Sequence, residues 1–122
     1  MSGERSRLLG RWGEAQAAEY LRKRGYRPVA AGWSCRYGEI DLIVQGKGFL
    51  CFVEVKLRQS RAFGSGAEYV DGRKQQRLRS AALLYLQSHP TRLQPRFDVV
   101  DILAPEGIST RDPEILHLKN AF

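Results

Sequence analysis

Apolar residues recur at three-to-four spacing through Leu8, Trp12, Ala15, Ala18 and Leu21, which predicts an amphipathic helix over 8–24 that Gly25 ends. Glu14 lies four residues before Ala18 and seven before Leu21, so its side chain falls at the edge of that stripe. A first strand is expected over 26–35, at a sheet edge because of Pro28. Residues 38–45 read as a second strand, Gly46-Lys47-Gly48 as a turn, and 49–58, dense in Phe and Val, as a third strand paired antiparallel to the second. A polar loop follows over 59–66. A helix is expected over 67–88, with Leu78, Ala81, Ala82, Tyr85 and Leu86 facing inward, Gly72 as a blemish near its start, and His89-Pro90 as its stop. Strands over 96–103 and 114–119 complete the chain, the last returning alongside its predecessor after a loop around Pro105-Glu106-Gly107. The order of helix, three strands, helix and two strands predicts an α/β protein whose mixed sheet carries helices packed on it. At this length one domain over 1–122 is expected.

Alternation along the hairpin isolates an unusual set of charges. Glu39, Asp41 and Ile43 fall on one strand face; across the turn, Leu50, Phe52, Glu54 and Lys56 share a face of the next strand. The turn sets Asp41 opposite or diagonal to Glu54, with Lys56 on the same side. Phe52-Val53-Glu54-Val55-Lys56-Leu57 is otherwise a core strand, where charge is rarely buried without a partner. Two neighbouring carboxylates raise one pKa unless a cation intervenes, and a hard divalent ion such as Mg²⁺ takes oxygen ligands. Such an ion supports phosphodiester hydrolysis, with the Lys56 ammonium orienting the attacking water or offsetting charge on the phosphorane. The same three residues also fit a cross-strand salt-bridge cluster worth roughly 0.2 to 1 kcal/mol per pair. Glu14 also fits an exposed helix glutamate near Arg11, and Glu39 a simple partner for an arginine.

Charge and composition narrow the partner. Net charge is +7 and fifteen of the twenty basic residues are arginine, whose planar fork suits bidentate contact with a polyanion. Arg73, Lys74 and Arg77 open a basic helix start after the loop, suited to tracking a phosphate backbone. A solvated helix face balanced by Glu68 and Asp71 accounts for the same residues. Arg58, two residues beyond Lys56 on its face, has the better claim to touch substrate. No apolar run approaches the ~20 residues of a membrane span, and the first ten residues lack the apolar stretch of a signal peptide, so the cytosol is expected and a membrane partner is not. Cys35 and Cys51 lack metal-ligand spacing, and Cys51 reads as a small buried hydrophobe. His89 and His117 offer no zinc pair, and Trp12 and Trp33 read as core or rim residues. Gly46-Lys47-Gly48 joins two strands with no helix after it, so no nucleotide cofactor is expected. Asp98, inside a strand, reads as structural.

Gly38-Glu39-Ile40-Asp41-Leu42-Ile43 followed by Phe52-Val53-Glu54-Val55-Lys56-Leu57-Arg58 resembles the P-D…(D/E)-x-K nuclease signature, with Holliday-junction resolvases the nearest comparison. More closely, the chain resembles the YraN-type family of uncharacterised bacterial proteins. The resemblance runs through Gly13-Glu14 with Ala18, both strands just quoted, Ala67-Glu68-Tyr69-Val70 with Lys74 and Arg77-Leu78, and Arg96-Phe97-Asp98-Val99-Val100. Ile40 stands where the signature has proline. The resemblance implies a restriction-endonuclease-like three-layer core, a central mixed sheet of about five strands flanked by helices. It implies a Mg²⁺- or Mn²⁺-dependent nuclease acting on DNA, branched or single-stranded, in which Asp41, Glu54 and the Val55 carbonyl ligate the metal. It further implies that Glu14 completes the acidic cluster and that Lys56 acts on the attacking water. A homodimer follows by analogy with resolvases. A catalytically silent DNA-binding or protein-interaction module of the same fold is the alternative.

Overall fold

The computed structural model describes residues 3–60 and 70–122. Helix α1 (Gly3–Lys23) is followed by β1 (Arg27–Cys35), β2 (Gly38–Gly46) and β3 (Phe49–Arg58). Helix α2 (Gly72–Ser88), β4 (Gln94–Leu103), a short 3-10 turn (Gly107–Ser109) and β5 (Glu114–Leu118) complete it. The five strands lie in sequence order in one sheet, antiparallel except for β3 and β4, which run parallel. A parallel pair needs a crossover, and α2 lies within that connection. The mixed five-stranded sheet with two helices is the α/β architecture expected of a restriction-endonuclease-like core. No helix among the described residues is long and apolar enough to cross a membrane.

Each helix covers one face of the sheet. Ala17 and Leu21 of α1 pack with Leu42, Val44, Cys51, Val53, Val100 and Ile102. On the other face Leu78, Ala81, Ala82 and Tyr85 of α2 pack with Ile40, Ile43, Leu50, Phe52 and Val99. The inward face of α2 is as expected, with Leu86 partly buried. The stripe on α1 differs. Leu21 is buried and Trp12 and Ala18 pack against the core as expected, but Ala15 and Leu8 are exposed, and the line of closest contact runs through Gly13, Ala17 and Leu21. Small residues that let a helix approach a sheet weigh little in a hydrophobic pattern, which is why this line is faint in the sequence. Helix α1 also begins at Gly3, ahead of the expected position 8.

The end of α1 is set by glycine. Gly25 has φ +93°, and the Tyr26 N–H returns to the Leu21 carbonyl, closing the helix. Gly46 must stay a glycine, since a Cβ there would lie 2.6 Å from the Gly25 carbonyl oxygen. Helix α2 begins at Gly72, where Asp71 caps it by accepting from the Lys74 N–H at 2.8 Å. Gly72 is therefore a boundary, not an interior flaw. The expected residues 61–66 of the loop and 67–69 of the helix lie outside the described residues.

Asp98 is structural, as expected, and ties β4 to β5 and to the turn that follows it. It is 0% exposed on the α1 side of β4. Arg96 donates to both its oxygens (2.9 and 2.8 Å), His117 of β5 to Oδ2 (2.7 Å), and the Asn120 N–H to Oδ1 (3.0 Å). Arg96 also donates to the buried Tyr26 hydroxyl at 3.0 Å, linking the network to the connection between α1 and β1. Burial alone pushes the Asp98 carboxyl up, but hydrogen bonds from His117, Arg96 and Asn120 outweigh it and hold it at about 2. Burial also pushes the neighbouring Cys51 thiol up to about 12, leaving it an inert core residue.

Because the folded Asp98 titrates below its ordinary value of 3.8, its contribution is complete above that pH and is lost as pH falls toward 2. Asp98→Asn leaves Arg96 and His117 without their carboxylate and should cost about 3–5 kcal/mol in urea unfolding near neutrality. The variant's stability should also fall less steeply than the wild type's between about pH 4 and pH 2.

Candidate metal centre at the fork between β2 and β3

The β2–β3 ladder runs from Gly46↔Phe49 to Leu42↔Val53 and stops there. One step further the register would set Asp41 against Glu54, but the strands part. Beyond this point β2 follows β1 alone, through Ile40↔Trp33 and Glu39↔Ser34. Freed from β3, the strand slips its alternation: Ile40 packs beside Ile43 on the α2 side, not with Leu42 and Val44 as strict alternation requires. Asp41 fills the gap left in the ladder. Its Oδ2 accepts the Val55 N–H at 2.8 Å, giving a backbone donor of the central strand the partner it would otherwise lack.

Both helices reach the fork. On the α1 side Gly13 packs against β3, where a methyl group would lie 3.8 Å from side-chain atoms of Val55 and Leu57. That approach carries Glu14 to the carboxylates, and oxygens of Glu14, Glu39 and Asp41 lie within 4.8 Å of one another. From the α2 side, Lys74 Nζ sits 3.0 Å from Glu54 Oε1. Glu54 is 5% exposed, and its Oε2 has no hydrogen-bond partner among the described residues. An unpartnered oxygen on a buried carboxylate is the feature a cation would relieve.

The electrostatics follow from this crowding. Burial, the charge of Glu54 and that of Glu14 push Asp41 up to about 7, against the downward pull of the Val55 N–H and Lys74. Glu14 is raised by burial and by the neighbouring Glu39 and Glu54, and Arg11 opposes this. Glu39, left out of the site when the sequence is read alone, is thus part of the cluster. Its shared strand face with Asp41 was the signal.

The remaining expected residues divide. Lys56 lies half-buried on β3, two residues beyond Glu54, and makes no ion pair among the described residues. Arg58 does not point outward: its guanidinium grips Asp101 at 3.1 and 2.8 Å with the side chain 13% exposed. Lys74, expected at a phosphate backbone, is instead on Glu54. Arg73 and Arg77 are exposed at the head of α2, and Arg77 lines a cleft of about 80 Å³ with Tyr37, Glu39 and Lys74.

A helix-covered mixed sheet with a carboxylate fork at its centre is the frame of the restriction-endonuclease-like class. The chain belongs to the uncharacterised protein family UPF0102, the YraN family, whose model matches residues 13–102. It is similar to a UPF0102 protein of Syntrophomonas wolfei, 48% identical over 119 residues, covering 96% of this chain and 99% of the relative. A UPF0102 protein of Nocardia farcinica is 47% identical over 116 residues, covering 93% and 88%. Another, from Herpetosiphon aurantiacus, is 40% identical over 118 residues, covering 93% and 92%.

A carboxyl raised from 3.8 to about 7 contributes stability that is complete below the lower value and lost as pH climbs through the higher. Asp41→Asn, which keeps an acceptor for Val55, should therefore be more stable than the wild type in EDTA at about pH 8, on the order of 1–3 kcal/mol. That advantage should vanish near pH 4, and denaturant melts at the two pH values check both halves.

Proposed function

We propose that this chain is a divalent-metal nuclease that hydrolyses phosphodiester bonds in DNA. The observation that carries the reading is the fork itself: buried Glu54 keeps an unpartnered Oε2 beside an Asp41 whose carboxyl is already strained by its neighbours. Asp41 and Glu54 would hold Mg²⁺ or Mn²⁺, with Glu14 completing the cluster and the Val55 carbonyl as a further oxygen. Hard oxygen donors in this number suit such an ion. When bound, it supplies Lewis-acid polarisation of the phosphate and acidifies water.

The protein's own groups do the rest. The Val55 N–H fixes the Asp41 carboxylate by one oxygen and leaves the other available. Lys56, on the strand beyond Glu54, orients the attacking water or offsets charge growing on the phosphorane. Arg73 and Arg77 at the head of α2 contact neighbouring phosphates, on a chain of net charge +7. One observation favours the catalytically silent DNA-binding module instead: Lys74 already neutralises Glu54 without a metal.

Labelled branched, flapped and single-stranded DNA, incubated with Mg²⁺ or Mn²⁺, should be cut by the wild type and not by Asp41→Ala or Lys56→Ala. Binding of uncut DNA in Ca²⁺ should weaken steeply with salt, and Arg73→Ala with Arg77→Ala should reduce that slope by roughly one to two. DNA affinity without cleavage in any metal, unchanged by Glu54→Ala, would instead establish the silent module.

A further inference from the structure

We propose that Lys74 is an internal counter-ion of the fork: it neutralises Glu54 in the metal-free protein and leaves it when a divalent cation is held there, becoming a phosphate contact at the head of α2. The inference rests on the metal-site reading above and adds to it a coupling between metal loading and substrate binding.

The three buried carboxylates of the sheet are neutralised in different ways, and the difference carries the argument. Asp98 has both oxygens engaged, by the Arg96 fork, His117 and the Asn120 N–H. Asp101 has both engaged by the fork of Arg58. Those arginine side chains are 9% and 13% exposed, closed pairs with two-point geometry. Glu54 receives a single ammonium on Oε1 while Oε2 has nothing. Lysine is a compact charge on a flexible four-carbon stem, and this one is 34% exposed. Of these three ion pairs, only this one leaves half a carboxylate unsatisfied and a path to solvent for its cation.

A divalent ion takes several oxygens at once, so it satisfies Oε2 together with Asp41, which an ammonium at Oε1 does not. Held at the same carboxylate, the ammonium and the ion repel each other, and the mobile partner is the lysine. Its backbone stays anchored, because the Lys74 N–H donates to the Asp71 side chain that caps the first turn of α2. The stem therefore swings about a fixed point. The solvent side of that point is the cleft lined by Tyr37, Glu39 and Arg77, where the ammonium joins an exposed arginine one turn along the helix.

The test reads the lysine directly. The full chain is pulse-labelled with an amine-acylating reagent in EDTA and in saturating Mn²⁺, and Lys74 modification is quantified by mass spectrometry against the exposed Lys23, Lys47 and Lys119. Mn²⁺ binding is measured in parallel by calorimetry on wild type and Lys74→Met. The expected result is severalfold greater labelling of Lys74 with Mn²⁺, unchanged labelling of the reference lysines, and roughly tenfold tighter Mn²⁺ binding by the variant. If Mn²⁺ binds the wild type but Lys74 labelling does not rise, or the variant binds Mn²⁺ no tighter, the counter-ion role is wrong and the metal site stands. If Mn²⁺ binds neither protein, the metal site itself is wrong and the inference falls with it.

Discussion

The hydrogen bond from the Val55 N–H to the Asp41 carboxylate is the interaction on which the centre of this molecule turns. A sheet strand cannot simply lose its neighbour in mid-course, because each buried backbone donor left behind must find another acceptor. Here β2 leaves β3 after Leu42, and the strand supplies its own substitute, a side chain one residue on. The substitute is ionisable, so the site of parting gathers charge. Glu14 arrives because α1 packs closely at Gly13, and Glu54, on the strand that stays, is near enough for its charge to push Asp41 up.

The two apolar layers make this arrangement affordable. Each sheet face is covered by one helix, and the buried apolar residues of β3 and β4 alternate between the two clusters, as do those of β2 from Leu42 onward. Hydrophobic burial on both faces carries the stability, while the carboxylate fork subtracts from it, as the raised Asp41 and Glu14 show. Asp98 does the opposite. It also sits in the sheet's interior, but four donated hydrogen bonds hold its charge and use it to fasten β5 and the end of the chain. Identical chemistry thus serves tethering in one place and unresolved repulsion in another, and the number of donors decides which.

The sequence makes legible what depends on strong local pattern. The hairpin of β2 and β3 follows from alternation and a glycine turn, the inner face of α2 from its leucines and alanines, and the antiparallel return of β5 from strand spacing. Asp41 and Glu54 stand out because charge interrupts an apolar strand. What could not be read is decided in three dimensions. The slip at Ile40 arises from a strand losing one neighbour and keeping the other. The faint stripe on α1 reflects packing by Gly13 and Ala17, which a hydrophobic pattern barely registers. The partners of Arg58 and Lys74 are distant in sequence, Asp101 and Glu54, and nothing local distinguishes an arginine that closes a buried pair from one that awaits a phosphate.

The charge distribution links the two halves of the proposed function. A basic chain favours a polyanion, yet Glu14, Glu39 and Asp41 cluster at the fork with the charge of Glu54 acting on them, where the proposed reading puts the phosphate. One ammonium offsets only part of that negative charge, so a phosphate approaching the bare fork meets repulsion at short range despite attraction at long range. On that reading a cation of higher charge would reverse the local sign and let the phosphate approach Lys56. On the proposed reading, metal and substrate binding are therefore coupled: the carboxylates that would hold the ion would also repel nucleic acid without it.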